Sequence, residues 1–584
     1  MEILRVNMHE RSIRREPLAG ADVLLGNRGL IGKVLLKEVP PTCHPLGPEN
    51  KLIIAAGPLA GTPLSSSARL SVGAKSPLTG GAKESNAGGV GGEQLALLGI
   101  RAVIVEGQPA PGEQFVLYLA PGKAELHPAS DYKGLGNYAL RERLAERYGA
   151  RTASIAIGPA GEHLLAVAGV FVNDADGTPS RACGRGGMGA VMGSKGLKAV
   201  VVDPPAADRG KTKGIPIARP DEFRAAVRAF HGALRETPQT AVSYPRYGTA
   251  GAMATVNALG GLPTRNFSLG RFDDAERIDG DALRQLILDR GGEGKTTHSC
   301  MTNCMIRCSN VFPGPDGRAA VSPLEYESLG LLGSNLCIGD LDAIARLNYL
   351  CNDIGADVIE VGAALGVAME AGVLGFGDAG MAAQLIETIG EATLLGRVLG
   401  QGAVTTGRVL GVTRVPSVKG QSLAAHEPRA IKGMTVTYSM SPMGGDHTAG
   451  VTVRAPVNHH SPQGQMELSR NVQVNIAAYD TLGMCMFVVP AVGQKPQLMV
   501  DVLNAAYGLE LMPGFIADLG KEVIKRERAF NLAAGLTRAH DRLPDFFRQE
   551  KLPPFDLVAD ITEADLDRFW DPEFWGAMPQ VGDS

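Results

Sequence analysis

Residues 1–205 alternate short apolar runs with turn residues. Leu52-Ile53-Ile54, Ala102-Val103-Ile104-Val105, Phe115-Val116-Leu117-Tyr118 and Ala199-Val200-Val201-Val202 are rich in branched or aromatic side chains. Glycine- and proline-rich turns separate them, a pattern that predicts β-strands. One helix is predicted near Tyr138–Tyr148. Beyond the polar stretch Pro204–Lys213 the period changes. Pro220-Asp221-Glu222-Phe223 opens a helix expected to run to Arg235, and Asp340–Cys351 and Val358–Ala371 carry apolar residues at helical spacing. Gly375–Gly380 breaks the pattern, Arg408–Gly420 marks a second boundary, and another helix is expected near Ile516–Ala534. The chain therefore reads as an α+β multidomain protein. An N-terminal β-sheet domain (1–205) precedes two mainly α-helical domains (206–415 and 416–584).

No tandem repeat of fixed short period is present, but one short duplication is. Asn352-Asp353-Ile354-Gly355-Ala356-Asp357 and Asp480-Thr481-Leu482-Gly483-Met484-Cys485 share an acid or amide, two residues, glycine, one residue, and a ligand-type residue. One copy lies in each expected helical domain. Two copies suit a ligand with two similar halves. A pair of helix-ending turns is the plainer alternative.

Composition narrows the class. The formal net charge of −4 over 584 residues implies no nucleic-acid or lipid partner. The first residues, Met1-Glu2-Ile3-Leu4-Arg5, carry charge where a signal peptide is apolar, and no apolar run of about 18 residues occurs. A cytoplasmic protein without a membrane span is expected. Glycine is abundant, at 75 residues, which suits loops that approach a ligand with bare backbone.

The cysteines carry the strongest chemistry. Cys300, Cys304 and Cys308 lie close together, and Cys485 stands far along the chain. Three local thiolates plus a remote one is the usual ligand set of a 4Fe-4S cubane. A structural zinc site would show two C-x2-4-C pairs, and a redox dithiol C-x-x-C; neither is present. The spacing C-x3-C-x3-C would also place the three thiols on one face of a helix, as a buried stripe. Cys43, Cys183, Cys337 and Cys351 read as small buried hydrophobes.

Two glycine-rich stretches, Lys83–Gly92 (with Asn86 and Gly88) and Arg181–Lys195 (with Ala182 and Arg185), have the makings of anion sites. Neither has the spacing of an ordinary nucleotide loop. Tight β-turns are the alternative. Glu325-Tyr326-Glu327 follows the cysteines, and Met443-Gly444-Gly445-Asp446-His447 holds a histidine in a glycine turn. A glutamate and a histidine meeting at one site would serve acid–base chemistry on a carbonyl. His459-His460 reads as surface.

Taken together these motifs resemble the aldehyde ferredoxin oxidoreductase family of tungsten or molybdenum enzymes. The resemblance runs through Gly26–Leu30, Ala55–Pro58, Ser85–Gly89, Arg185–Lys195, Glu325–Glu327, Asp480–Cys485 and Glu527–Asn531. It implies that the β domain forms the base of a cofactor held against the helical domains. That cofactor is a metal carried by two pyranopterins (molybdopterin), whose sulfurs supply the metal ligands. The resemblance assigns Arg69, Asn86, Arg181 and Ala182 to the pterin phosphates and a bridging magnesium. Asn352, Asp357 and Asp480, with Gly483 and Met484, fall in the pterin loops. Cys300, Cys304, Cys308 and Cys485 match the 4Fe-4S ligands, and Glu327 and His447 the pair beside the metal. Two departures mark a divergent member: one extra residue between Cys300 and Cys304, and Asn352 where aspartate is usual.

The function implied is oxidation of an aldehyde to a carboxylate with water, electrons leaving through the cluster to ferredoxin or a ferredoxin-like iron–sulfur subunit. Low-potential reduction of a carboxylate or thioester within a larger complex is the enzymatic alternative. A cluster-bearing electron-transfer subunit is the non-enzymatic one. A homo-oligomer or a complex subunit is compatible with either.

Overall fold

The computed structural model describes residues 1–18, 20–205 and 215–582. Most of the expected boundary Pro204–Lys213 lies outside the described residues. The architecture is α+β, as expected. Twelve strands within residues 1–205 form two six-stranded sheets. The first holds β1 (Glu2–Asn7), β2 (Ser12–Pro17), β3 (Leu52–Ala56), β4 (Leu70–Lys75), β5 (Ala82–Ala87) and β6 (Ile100–Glu106). The second holds β7 (Phe115–Ala120), β8 (Lys123–Pro128), β9 (Ala153–Ala156), β10 (Val170–Val172), β11 (Arg181–Cys183) and β12 (Leu197–Val202). Their spatial orders, β2-β1-β6-β3-β4-β5 and β8-β7-β12-β9-β10-β11, are the same topology twice. β1/β6 and β7/β12 are parallel, and the other neighbours are antiparallel in both sheets.

The duplication extends to detail. In each half a helix follows the second strand (Asn27–Glu38; Asn137–Tyr148) and another follows the fifth (Gly91–Leu97; Met188–Ser194). The sixth strand of each carries a buried cation at its second residue. Arg101 donates to the carbonyl of Leu25 at 3.0 Å, and Lys198 to that of Leu135 at 3.2 Å. The two glycine-rich stretches are thus equivalent strand–turn–helix units, not two unrelated loops. In the second unit the glycines also allow close packing. A Cβ on Gly189 would lie 2.3 Å from the Gly169 carbonyl oxygen, and one on Gly193 2.0 Å from that of Gly161.

The apolar runs are covered on both faces, which is why they read as continuous rather than alternating. Leu52, Ile54, Val103 and Val105 face a core shared with Phe115, Leu117, Val200 and Val202 of the second sheet. Ile53, Ala55, Ala102 and Ile104 face the other way, with Leu30, Ile31 and Leu35 of the helix Asn27–Glu38. Each such side chain contributes roughly 1.5–3 kcal/mol by leaving water. That helix escaped the sequence reading because Asn27 through Gly32 are all buried, leaving little contrast between its faces.

The later helices match their patterns: Pro220–Glu236, Leu341–Ile354, Val358–Glu370 and Gly514–Ala533. One apolar core joins Leu331, Leu365 and Ile386 to Leu423, Tyr438 and Phe547, so both sides of the expected boundary at 415 share it. Among the described residues no helix is long and apolar enough to cross a membrane.

The duplicated hexapeptides are both helix ends. The Ala356 N–H donates to the Cys351 carbonyl at 2.8 Å, and the Met484 N–H to that of Tyr479 at 2.9 Å. Gly355 (φ 78°) and Gly483 (φ 71°) take the left-handed conformation such ends require. Each turn docks on one sheet. Gly158 abuts Gly355, and a Cβ on Gly57 would lie 2.6 Å from the Gly483 Cα. Gly169 N–H bonds to the Gly355 carbonyl at 3.0 Å, and Arg69 N–H to that of Gly483 at 3.1 Å. A two-fold-like base therefore holds two equivalent turns over one cavity.

Candidate active site

The cavity between the sheets and the helical region measures about 360 Å³. Its lining brings together Arg69, Asn86, Gly88, Arg181, Ala182, Arg185, Glu327, Asn352, Asp357, His447, Asp480, Cys300, Cys308 and Cys485. Cys304, Gly483 and Met484 are outside the lining. Gly483 packs on Gly57, and the Met484 side chain lies in an apolar core.

The cysteine segment is not a helix, so the buried-stripe alternative is corrected. Residues 300–308 form irregular turns, with Asn303 (φ 59°) and Arg307 (φ 52°) left-handed just before Cys304 and Cys308. Cys304 and Cys485 are buried in one cluster, with Cys300 and Cys308 packed against it. Cys351 belongs to a separate core, and Cys183 Sγ lies 3.7 Å from the Leu70 carbonyl oxygen. A Cβ on Gly88 would lie 2.8 Å from Cys300 Sγ, so glycine is needed there. Ser66 Oγ lies 3.6 Å from Cys304 Sγ, and the Ser66 carbonyl accepts from the Cys485 N–H at 2.8 Å. Burial, then the neighbouring Cys304, pushes the Cys300 thiol up to about 12. Burial and neighbouring thiols likewise raise Cys308 and Cys485, and such thiols suit a cationic iron core. Among the described residues no three His, Cys, Asp or Glu converge as one metal ion would require. In a cubane each thiolate binds its own iron, so the four need only surround a volume.

Arg69 links this volume to the rest of the cavity. Its Nε donates to the Asn86 side chain and its Nη2 to the Asn86 carbonyl at 2.9 Å. Cys485, Cys300 and Asp480 face its charge. Asp480 is held by Arg28, whose Nη1 lies 3.3 Å from it while its Nε and Nη2 grip Glu527 at 2.8 and 2.9 Å. The equivalent position to Arg28 in the second half is Tyr138. Asn352 donates to the Tyr138 hydroxyl at 3.4 Å. This explains the asparagine: a carboxylate there would be buried without the cation that Arg28 supplies to Asp480.

Arg181 Nη1 donates to Ser309 Oγ at 2.7 Å and Nη2 to Asp174 at 3.1 Å, yet its buried Nε has no hydrogen-bond partner among the described residues. A free guanidinium N–H on the cavity wall suits a phosphate oxygen, and the pterin phosphates assigned to Arg181 fit there. Arg185 is engaged otherwise. It donates to the carbonyls of Gly445 (2.8 Å) and Ser422 (2.6 Å) and lies 3.4 Å from Asp357. Its contacts hold the His447 turn rather than leaving donors for an anion. Asp446 pairs with the buried Lys83 and accepts from Thr448 N–H at 2.9 Å, which fixes the same turn.

His447 Nε2 lies 3.3 Å from Glu327 Oε1. Glu327 Oε2 accepts from the Ala425 N–H at 2.8 Å, whereas Oε1 is buried and has no hydrogen-bond partner. A third residue, absent from the sequence reading, completes the group. His426 Nε2 lies 3.7 Å from the same Oε1, and its ring stacks on Tyr326 at 5.1 Å. Burial, then His447, pulls its pKa down to about 3, so it is neutral near pH 7. The only signal in sequence was a lone histidine in Ala424-Ala425-His426-Glu427-Pro428. Glu325 is half-buried and accepts from Thr249 instead. His459, read as surface, is buried.

The depressed His426 pKa has a stability consequence. Its contribution is fully present above the unfolded value near 6.5 and is lost as pH falls from there toward 3. His426→Phe should therefore flatten the fall in unfolding free energy across that window, by at most about 1.4 kcal/mol per pH unit. Melting curves of both proteins from pH 7 to 4 check it; parallel slopes would contradict the burial argument.

The chain is similar along its length to known proteins. Residues 3–204 match the family description "Aldehyde ferredoxin oxidoreductase, N-terminal domain", and residues 225–572 match "Aldehyde ferredoxin oxidoreductase, domains 2 & 3". The tungsten-containing aldehyde ferredoxin oxidoreductase of Pyrococcus furiosus is 33% identical over 577 residues, covering 94% of this chain and 91% of that protein. The aliphatic sulfonate oxidoreductase, WOR-like subunit, of the same organism is 27% identical over 91% of this chain and 86% of its own length. A solved structure, the active site complex BamBC of benzoyl coenzyme A reductase with 1,5-dienoyl-CoA, superimposes with a TM-score of 0.81 at 20% identity. It covers 98% of this chain and 94% of that one, and so shares the fold. The chain belongs to the aldehyde ferredoxin oxidoreductase family.

Proposed function

We propose that this oxidoreductase converts an aldehyde and water into a carboxylic acid, with release of two electrons and two protons. The observation that carries the reading is the unpartnered Glu327 Oε1, 3.3 Å from His447 Nε2, facing a cavity shared with the cysteines. When bound, tungsten or molybdenum on two pyranopterins would accept the electron pair. Arg69, Asn86, Arg181 and Ala182 would hold the phosphates and a bridging magnesium. Asn352, Asp357 and Asp480, with the backbone of Gly483 and Met484, would hold the pterin rings. Cys300, Cys304, Cys308 and Cys485 would hold the 4Fe-4S cluster that passes electrons singly to ferredoxin or a ferredoxin-like subunit.

The chain's own groups do the proton work. Glu327 takes a proton from water as it adds to the carbonyl. His447 donates an N–H to the carbonyl oxygen, where negative charge develops. Neutral His426 and the Tyr326 ring wall the carboxylate away from bulk water, which strengthens both interactions. Ser66 and the Gly89 amide, which donates to the Cys300 carbonyl at 2.7 Å, keep the thiols in place.

Protein purified without oxygen should release pterin with tungsten or molybdenum on denaturation, and should reduce an artificial one-electron acceptor when given an aldehyde. Stoichiometric nucleotide with neither metal would sink the reading.

A further inference from the structure

The loop that carries His447 also brings Arg454 to the same cavity. Among the described residues this cation has no acidic partner. Its Nη1 donates to the Tyr244 hydroxyl, and its guanidinium lies over the rings of Tyr244 (4.7 Å) and Phe487 (5.5 Å). Among the described residues it makes no other hydrogen bond and no ion pair. Of the other arginines lining the cavity, Arg181 pairs with Asp174 and Arg185 with Asp357, while Arg69 is held by Asn86. Burial alone pulls the Arg454 pKa down to about 10, with no carboxylate offsetting it. Arg454 is exposed, it lies against Phe487, and Val451 and Val453 just before it in the chain line the same cavity. The two rings hold the guanidinium in place, so little side-chain entropy remains to be lost when an anion binds. An anchored guanidinium without a carboxylate partner, exposed at the rim of the cavity, is free to make a bidentate carboxylate contact.

We infer that Arg454 receives an anionic tail of the substrate, so that the preferred aldehyde carries a second, carboxylate-type group at the end remote from its carbonyl. This rests on the aldehyde reading above. The aldehyde carbon would sit at Glu327 and His447, with an apolar spacer along Val451 and Val453.

The test compares succinic semialdehyde with butanal, and para-carboxybenzaldehyde with para-tolualdehyde, on holoenzyme. In Arg454→Met the ratio of anionic to neutral kcat/KM should fall about 10- to 100-fold, the worth of one charge-assisted contact, mainly through KM. The neutral aldehydes should keep their rates, and Arg454→Lys should retain part of the preference. A para-formylbenzenesulfonate arm separates carboxylate recognition from general anion recognition. An unchanged ratio would overturn the inference, as would equal losses on both classes. Loss of pterin or metal from Arg454→Met would overturn it too, by placing the arginine at the cofactor. Calorimetry of terephthalate against para-toluate reads the anion contact without turnover. If the wild type oxidised neither aldehyde but held terephthalate more tightly in an Arg454-dependent way, the reaction would be misassigned and the anion site would stand. Equal binding of the two acids would remove it.

Discussion

Glu327→Gln should lose aldehyde oxidation by ~100- to 10,000-fold, the usual worth of a positioned acid–base group. The amide fills nearly the same volume. Its nitrogen or oxygen can still meet the Ala425 N–H, which now bonds to Oε2 at 2.8 Å. What the variant lacks is a base at Oε1, the buried atom without a hydrogen-bond partner among the described residues. Metal, pterin and iron contents should stay near those of the wild type, because no cavity residue assigned to the cofactors depends on this carboxylate. Turnover with an artificial one-electron acceptor, measured beside metal content on one sample, separates the outcomes. Full activity would remove Glu327 from the mechanism. Glu325 would not inherit the role easily, since Thr249 already occupies it. Loss of activity together with metal would make the residue structural.

Cys485→Ala and Cys304→Ala should each abolish the iron–sulfur signal and most of the iron, and electron delivery to a protein acceptor should drop to background. Gly88→Ala should weaken the cluster without changing a ligand. Its new methyl would lie 2.8 Å from Cys300 Sγ and 3.2 Å from Cys300 Cβ. Disturbing the surroundings of a metal ligand commonly costs ~10–100-fold in metal affinity, so Gly88→Ala should be milder than loss of a thiol. Iron and sulfide per chain, with low-temperature spectra of the reduced protein, provide the measurement. A full cluster in Cys485→Ala would refute the ligand set. Cys337 and Cys351 could not replace it from where they lie, since both pack in the core around Leu331 and Ile344 rather than with Cys304.

Much of this was legible in the chain because the signals are local. The cysteine triplet, Glu325-Tyr326-Glu327 and the glycine turn before His447 are short and chemically distinctive. The helices Leu341–Ile354 and Val358–Glu370 announce themselves by spacing, because each buries one face or more against a continuous core. The paired hexapeptides were visible as a repeated shape, and both proved to be helix-ending turns on the cavity.

Other features escaped because their cause is distant in sequence. The helix Asn27–Glu38 has no polar face to mark it, being wedged between a sheet and the helix Gly514–Ala533. His426 looks like any histidine until the fold brings it within 3.7 Å of Glu327. Arg185 reads as an anion ligand in a glycine-rich stretch, yet it spends its donors on carbonyls of Ser422 and Gly445.

By itself, then, the sequence determined the chemistry on offer: which residues are thiols, acids and imidazoles, and which segments must coil or extend. Local periodicity and turn chemistry suffice for that. Only the tertiary structure decided that residues 1–205 are one topology built twice, that each copy seats one turn, and that Asn352 goes with Tyr138 as Asp480 goes with Arg28. Those pairings join residues hundreds of positions apart. They follow from how sheets and helices stack to bury both faces of every strand, a condition on the whole chain that no short window contains.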